Sequence, residues 1–137
     1  MTPTSRIPAV GERCKPRDYG PISRTDFVKY QGASGDFHPL HHDEVYARKA
    51  GFQSVFSVGM FQAGLLASYA TDWLGAESIR RYAMRFQEQC WPDDLLTCEG
   101  VVTDVVADAG GHRVSVELTC RRQTGAVAIS ATAEFAL

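Results

Sequence analysis

The sequence predicts an α+β fold in which an antiparallel sheet wraps around one long apolar helix. Two observations lead to this prediction. Apolar residues recur at helical spacing over residues 59–73, and after Gly75 the apolar period changes to two through four successive segments. Because the helix and one face of the sheet both need cover from water, wrapping the sheet around the helix is the simplest arrangement.

The first part of the chain should hold a strand and a helix. Residues 1–13 are punctuated by Pro and Gly and should be irregular, with a first strand near Cys14–Tyr19. Ser23 is a suitable N-cap, and Asp26 stands three residues later, so a helix should begin there. This helix should end within the stretch Gly32–Gly35.

Two further helices are expected before the sheet. Pro39 favours extended backbone at His38, and a short helix should follow around Asp43–Lys49, closed by Gly51. The long helix, Gly59–Trp73, is apolar almost all round and should be buried rather than laid on a surface. Its apolar spacing of three and four is carried by Met60, Ala63, Ala67, Ala70 and Leu74.

Four strands should then form an antiparallel meander with one buried face. In the first of them, Tyr82, Met84 and Phe86 alternate with their neighbours, and the later strands alternate in the same way. Turn residues separate the strands at Pro92–Asp94, Asp108–Gly111 and Thr124–Gly125. The whole chain, residues 1–137, is expected to be one domain.

Composition excludes several classes of function. The 137 residues are 45% apolar and 22% charged with a net charge of −2, so we expect a packed core and no nucleic-acid partner. No segment approaches the roughly 20 apolar residues of a membrane span, and residues 1–10 lack the apolar region of a signal peptide. We therefore expect a cytoplasmic protein without a membrane partner. The four cysteines form no C-x-x-C pair and should stay reduced.

The most informative stretch is GDFHPLHHDE, residues 35–44, which holds three of the four histidines. It could be a metal site, an acid/base pair or a polar loop without chemistry. Pro39 separates His38 from His41 and no second cluster offers further ligands, which argues against a metal. Asp36 and His41 lie five positions apart between two helices and could converge on one cleft. There, one could deprotonate a water while the other delivers a proton.

The start of the long helix offers a second feature. Gly59 lets a ligand approach the backbone, and the N–H groups of the first helical turn have no partners within the helix. Together with the helix dipole, these groups can polarise a carbonyl oxygen that gains negative charge. The alternative explanation of Gly59 is tight packing between the helix and the sheet.

These residues resemble the MaoC-like hydratase/dehydratase family, the (R)-specific enoyl-CoA hydratases of hotdog fold. The resemblance covers about residues 20–135 and is carried by GDFHPLHHDEVYARKAGF, by FSVGMFQAGLL and by Arg85, Phe86, Pro92 and Asp94. It implies that Asp36 and His41 are the catalytic pair and that the Gly59 N–H holds the thioester oxygen. The implied reaction is syn addition of water to a trans-2-enoyl thioester of CoA or of an acyl-carrier protein, or the reverse.

The same resemblance implies supporting roles for Ser34, His38 and Pro39, no metal and no cofactor. His38 stands where the family has Asn, and Val58 stands where it has His before the Gly-Met pair. The residue that supports the catalytic pair therefore differs from the family pattern, and the start of the long helix lacks the polar side chain that the family has there. Which member of the pair is acid or base, and which acyl chain is used, stay open.

Two other functions also stay open. An acyl-CoA thioesterase of the same fold would direct water at C1 instead of C3, and a non-catalytic hotdog subunit would support an active sibling. The spacing of Asp36 and His41 favours the hydratase, and the presence of both residues favours an active subunit. Because open sheet edges need partners, a homodimer or higher homo-oligomer is expected, with a heteromer containing a related hotdog subunit as the alternative.

Overall fold

A computed structural model describes residues 6–137 of the chain. In chain order these residues form β1 (Arg13–Tyr19), α1 (Arg24–Ser34), a 3₁₀ turn (Pro39–His41), α2 (Glu44–Lys49), α3 (Gly59–Leu74), β2 (Ile79–Phe86), β3 (Leu96–Asp108), β4 (Gly111–Arg122) and β5 (Val127–Ala136). Residues 6–12 precede the sheet without helix or strand, as predicted, and residues 1–5 lie outside the described part. None of the helices in residues 6–137 is long and apolar enough to cross a membrane.

Capping residues place the first two helices where the sequence predicts them. The Ser23 hydroxyl accepts a hydrogen bond from the Asp26 N–H, and the Asp26 carboxylate accepts one from the Ser23 N–H. This reciprocal pair closes the N-terminus of α1. Asp43 caps α2 by accepting from the Tyr46 N–H. Gly35 ends α1 with a φ of 79°, a left-handed conformation that glycine adopts without strain.

The strands form one antiparallel sheet in the order β1-β3-β4-β5-β2. Strands β3, β4 and β5 are a meander, but β2 pairs with β5 and lies at the far edge. The predicted four-strand meander is therefore wrong for β2. The segment 87–95 is too long for a tight hairpin, and its Gln87 N–H bonds to the Ala128 carbonyl of β5, so the chain leaves β2 alongside β5 and crosses to β3.

Helix α3 packs against one face of the sheet, which confirms the predicted α+β arrangement. Its buried side chains are Gln62, Ala63, Leu66, Tyr69, Ala70 and Leu74. The other side of the helix stays open in this chain, because Met60 is 50% exposed and Ala67 is only partly buried. The prediction that this helix is buried rather than laid on a surface therefore holds for one side of it, since apolar composition does not show which residues the sheet can reach.

A buried ion pair holds the turn that precedes β3. The Asp94 carboxylate accepts hydrogen bonds from the Arg122 guanidinium at 2.7 Å and from the Trp91 N–H at 2.8 Å. Burial alone would raise the pKa of Asp94, but these hydrogen bonds outweigh it and hold that pKa below its usual value. In the same turn the Cys90 carbonyl accepts from the Ser57 N–H at 2.8 Å. The turn therefore also positions the chain just before α3.

Candidate functional site

The histidine-rich loop is organised by the 3₁₀ turn. His38 precedes this turn in extended conformation, with φ −60° and ψ 130°, as Pro39 predicts. The His38 Nδ1 accepts a hydrogen bond from the Leu40 N–H at 3.1 Å. The ring of His38 therefore acts as the N-cap of the turn, a role that Asn and Asp side chains commonly fill.

A hydrogen bond at Nδ1 holds the ring of His41 in one orientation. The side chain is 9% exposed, and its Nδ1 lies 2.7 Å from the carbonyl oxygen of Phe56. A carbonyl oxygen can only accept a hydrogen bond, so Nδ1 carries a proton and Nε2 bears the lone pair of the neutral ring. Within residues 6–137 nothing hydrogen-bonds to Nε2. This nitrogen is therefore available to a ligand.

His41 lines a cleft of about 210 Å³ between the start of α3 and the end of β2. Gly59 lines the same cleft from the first turn of α3, so the structure brings two of the predicted site residues together. The remaining lining residues are Phe56, Ser57, Gln62, Phe86, Gln87, Glu88 and Gln89. The lining is thus mixed, with aromatic rings beside hydroxyl, amide and carboxylate groups.

The N-terminus of α3 has no side-chain cap. Val58 occupies the N-cap position and makes no capping hydrogen bond, and no acceptor within residues 6–137 bonds to the Gly59 N–H. A Cβ atom added to Gly59 would lie 2.9 Å from Cε1 of Phe86. Both explanations of Gly59 therefore have support, because its N–H has no acceptor within residues 6–137 and its missing side chain makes room for the Phe86 ring.

Asp36 does not line this cleft in the single chain. Its side chain is exposed, its Oδ1 accepts from the His38 N–H at 3.2 Å, and its own N–H donates to the Ser34 hydroxyl at 3.2 Å. The ring of His38 in turn lies 6.1 Å from the ring of His41 between centroids. Ser34, Asp36 and His38 thus form one hydrogen-bonded loop that leads to His41, and the catalytic role of Asp36 stays a prediction.

Gln31 supports this loop and was missed by the sequence analysis. It is 2% exposed on α1, where its Nε2 donates to the His38 carbonyl at 3.1 Å. Its Oε1 therefore faces the Nδ1 of His42, 3.0 Å away, and accepts a hydrogen bond from it. One amide thus clamps both ends of the turn that carries His41. The sequence around Gln31 does not predict its burial, because α1 lacks a clear alternation of apolar and polar faces.

Gln62 and Phe86 are two further cleft residues that the sequence analysis did not place there. Gln62 interrupts an otherwise apolar run near the start of α3, and this interruption was a usable signal. Phe86 was expected on the buried face of its strand, but it is 51% exposed and lies over Gly59. The alternation holds for Tyr82 and Met84, which pack against the core, and fails at the strand end.

The loop histidines are engaged in hydrogen bonds rather than in a ligand cluster. Their Nδ1 atoms bond to the Leu40 N–H, the Phe56 carbonyl and the Gln31 amide oxygen, respectively. In the part of the chain that the structure describes, no three His, Cys, Asp or Glu side chains converge as metal ligands would. Acid/base chemistry is what this arrangement supports directly, and the absence of a metal requirement stays a prediction.

Known proteins with similar sequence and structure include hydratases. The beta subunit of 3-oxo-4,17-pregnadiene-20-carboxyl-CoA hydratase from Mycobacterium tuberculosis (strain ATCC 25618 / H37Rv) is 32% identical over 74 residues, which are 53% of this chain and 57% of that subunit. The match thus spans little more than half the length of this relative.

Two solved structures show the same arrangement of sheet and helix. A chain of the ChsH1-ChsH2 complex from Mycobacterium tuberculosis is 26% identical with a TM-score of 0.82, over 96% of this chain and 99% of that chain. The (R)-hydratase from A. caviae involved in PHA biosynthesis is 21% identical with a TM-score of 0.84, over 97% and 99% of the two chains, and is similar in fold. The predicted hotdog fold is confirmed.

The family assignment rests on a match that covers most of the chain. The model of the MaoC like domain matches residues 6–125, which include the histidine-rich loop, α3 and four of the five strands. The resemblance inferred from GDFHPLHHDE and from the helix start is thereby confirmed. This protein belongs to the MaoC-like domain family, whose members are generally hydratases or dehydratases.

Proposed function

We propose that this chain is an (R)-specific enoyl thioester hydratase, which in reverse dehydrates a 3-hydroxyacyl thioester. One observation carries the proposal: His41, whose Nδ1 is bonded to the Phe56 carbonyl, lines the same cleft as Gly59. A proton acceptor and an uncapped helix start on one cleft are two of the parts that hydration of an enoyl thioester requires.

In the proposed reaction the Gly59 N–H donates a hydrogen bond to the carbonyl oxygen at C1 of the substrate. The Nε2 of His41 accepts a proton from water while the water oxygen bonds to C3. The electron pair of the C2–C3 double bond moves toward C1, and C2 then takes a proton from the Asp36 carboxyl group in its acid form. The proton that His41 took from water returns to the Asp36 carboxylate, so the pair ends the reaction as it began. The dehydration runs through the same steps in reverse. The geometry favours His41 as the base because its Nδ1 already carries a proton.

The substrate class follows from the cleft and from the relatives. The reaction needs an activated carbonyl next to the double bond, which a thioester of CoA or of an acyl-carrier protein provides. The curated relative is named for a CoA thioester, which favours CoA as the carrier here. No cofactor takes part in this chemistry, because water is added and no electrons leave the substrate.

We propose that a second hotdog chain covers the cleft along β2. Strand β2 is an edge of the sheet, and unpaired edge strands favour pairing with another chain. Phe86 on this strand, Met60 beside Gly59 and Phe37 beside Asp36 are 51%, 50% and 64% exposed, respectively. An approaching chain would shield these side chains and bring Asp36 into a closed site.

The second chain is either another copy or a related subunit. A homodimer is the default, because Asp36 and His41 are both present in this chain. The similar chain from Mycobacterium tuberculosis was solved as a ChsH1-ChsH2 complex, which supports testing a heteromer. Light scattering on the protein expressed alone tests for the homodimer. Co-expression with a hotdog subunit encoded nearby, followed by an activity assay, tests for the heteromer.

The reaction is tested with trans-2-enoyl-CoA substrates of graded chain length, followed by the loss of enoyl absorbance. We expect His41→Ala and Asp36→Asn each to lower the rate by at least about a hundredfold, the low end for a positioned acid or base. Asp104→Asn is the matched control with an exposed side chain and should keep most of the activity. His42→Ala removes one contact of Gln31 but no residue that lines the cleft, so we expect it to be tolerated and to cost far less than His41→Ala. A folded His41→Ala variant with nearly full activity contradicts the assignment.

The same assay separates the alternatives. Release of free CoA without loss of enoyl absorbance indicates a thioesterase. Binding of the thioester without turnover, in every assembly tested, indicates a non-catalytic subunit. Either result replaces the hydratase proposal.

A further inference from the structure

Gln62 is a buried polar side chain that the proposed reaction does not yet use. It is 2% exposed, lies three residues after Gly59 on α3 and lines the same cleft. Burial of an amide is costly unless its polar atoms find partners. The partners of Gln62 therefore show what the side chain is placed to do.

The oxygen of this amide is bonded within the protein. The Ser57 hydroxyl donates to Oε1 of Gln62 at 2.7 Å. Ser57 is itself buried and immediately precedes the N-cap residue Val58. This bond holds the Gln62 side chain back toward the first turn of α3, the direction in which helical side chains lean. The amide therefore lies near the uncapped helix start.

The nitrogen of this amide is left for a ligand. Within residues 6–137, no group accepts a hydrogen bond from Nε2 of Gln62. In the same residues, every fully buried side-chain nitrogen or oxygen has a hydrogen-bond partner. Both facts hold together only if Nε2 borders open space. The cleft that Gln62 lines is that space.

We propose that Gln62 is a second hydrogen-bond donor to the thioester carbonyl oxygen, beside the Gly59 N–H. This inference rests on the proposed function. When the water oxygen bonds to C3, the double-bond electrons move toward C1, and negative charge collects on the carbonyl oxygen until C2 is protonated. Two donors that are already oriented share this charge, and neither has to reorganise during the reaction.

The first test measures hydration by Gln62 variants. Gln62→Glu keeps the size of the side chain and the acceptor for Ser57 but replaces the NH₂ group with oxygen, and Gln62→Met removes both polar atoms. Both should lower kcat by at least about a hundredfold, as loss of one such donor does. Ser57→Ala is the control, because it leaves the NH₂ group in place and should cost less. Thermal unfolding shows which variants are folded.

The second test does not depend on turnover. Butyryl-CoA labelled with ¹³C at C1 is saturated and cannot be hydrated, and hydrogen bonds to its carbonyl lower the stretching frequency that infrared difference spectra record. The frequency in the wild-type complex should lie below that in the Gln62→Met complex. Equal frequencies, or near-normal kcat in a folded Gln62→Met variant, overturn the role of Gln62.

The two tests separate this inference from the proposed function. If the wild type hydrates enoyl thioesters but Gln62→Met does so equally well, the reaction stands and the second donor is refuted. If the wild type hydrates none but its carbonyl frequency depends on Gln62, the reaction is refuted and the donor stands.

Discussion

The N-termini of α1 and α3 differ in how their free N–H groups are satisfied. In α1, the side chains of Ser23 and Asp26 close the first turn from both sides. In α3, the N-cap residue Val58 contributes no side-chain hydrogen bond, and the following Gly59 offers its N–H to a cleft. One helix end is completed by side chains of the protein, whereas the other has no side-chain cap, and in our proposal the thioester oxygen completes it.

This difference shows where stability and function are separated in the chain. A side-chain cap typically contributes about 1 kcal/mol to helix stability, and α3 forms without one. It can do so because tertiary packing buries a face that includes Leu66, Tyr69 and Leu74. The missing cap therefore need not weaken α3, and our proposal that this end binds a ligand can be tested by comparing the two helix ends.

The largest effect is expected from Gly59→Val. The branched side chain would block the approach of a thioester to the N–H groups of α3, so kcat/KM should fall by at least about a hundredfold. The melting temperature, measured in parallel, should fall much less than the activity. If stability and activity are lost together, Gly59 serves only to pack α3 against its neighbours.

A second variant separates the two explanations of Gly59. Because a Cβ at this position would meet the Phe86 ring, some of the loss could come from displacement of that ring. The double variant Gly59→Val/Phe86→Leu relieves this contact but still blocks the N–H groups. It should remain inactive relative to Phe86→Leu alone, and restored activity would identify the clash as the cause.

A smaller effect is expected from Val58→Thr, which adds a possible cap to α3. The hydroxyl would accept from a first-turn N–H and compete with the substrate oxygen, so kcat/KM should fall by about tenfold. The free energy of unfolding, measured with urea, should change by no more than about 1 kcal/mol. A capped, fully active enzyme would show that the open end of α3 is not used.

The smallest effect on activity is expected at the closed end. Ser23→Ala should lower the free energy of unfolding by about 1 kcal/mol, whereas Ser23→Gly should cost only a few tenths, because glycine also caps well. Both variants should hydrate substrate at the wild-type rate, since the residues that cap α1, Ser23 and Asp26, do not line the cleft. A matching loss of activity would break the proposed contrast between the two helix ends.

Local sequence signals predicted much of the fold. Ser23 with Asp26, Asp43 and Gly35 mark helix ends in positions that the structure confirms. Alternation predicted the buried faces of β4 and β5 in the same way. These signals succeed because capping and strand alternation depend on residues within a few positions of one another.

The candidate site was predicted in part. The histidine-rich motif and the helix start singled out His41 and Gly59, which the structure places on one cleft. The motif did not reveal that Asp36 is exposed outside that cleft in the single chain, nor that Gln62 is held by Ser57. Those properties depend on the path of the backbone between elements, which spacing along the sequence does not describe.

By itself, the sequence determined the helix ends, the extended residue before Pro39, the strand alternation and the family to which the chain belongs. Only the tertiary structure decided that β2 lies beside β5, that Phe86 covers Gly59, and that His41 donates to the Phe56 carbonyl. The first group follows from neighbouring residues and short motifs. The second depends on contacts between distant segments, whose geometry exists only when the sheet and α3 have packed together.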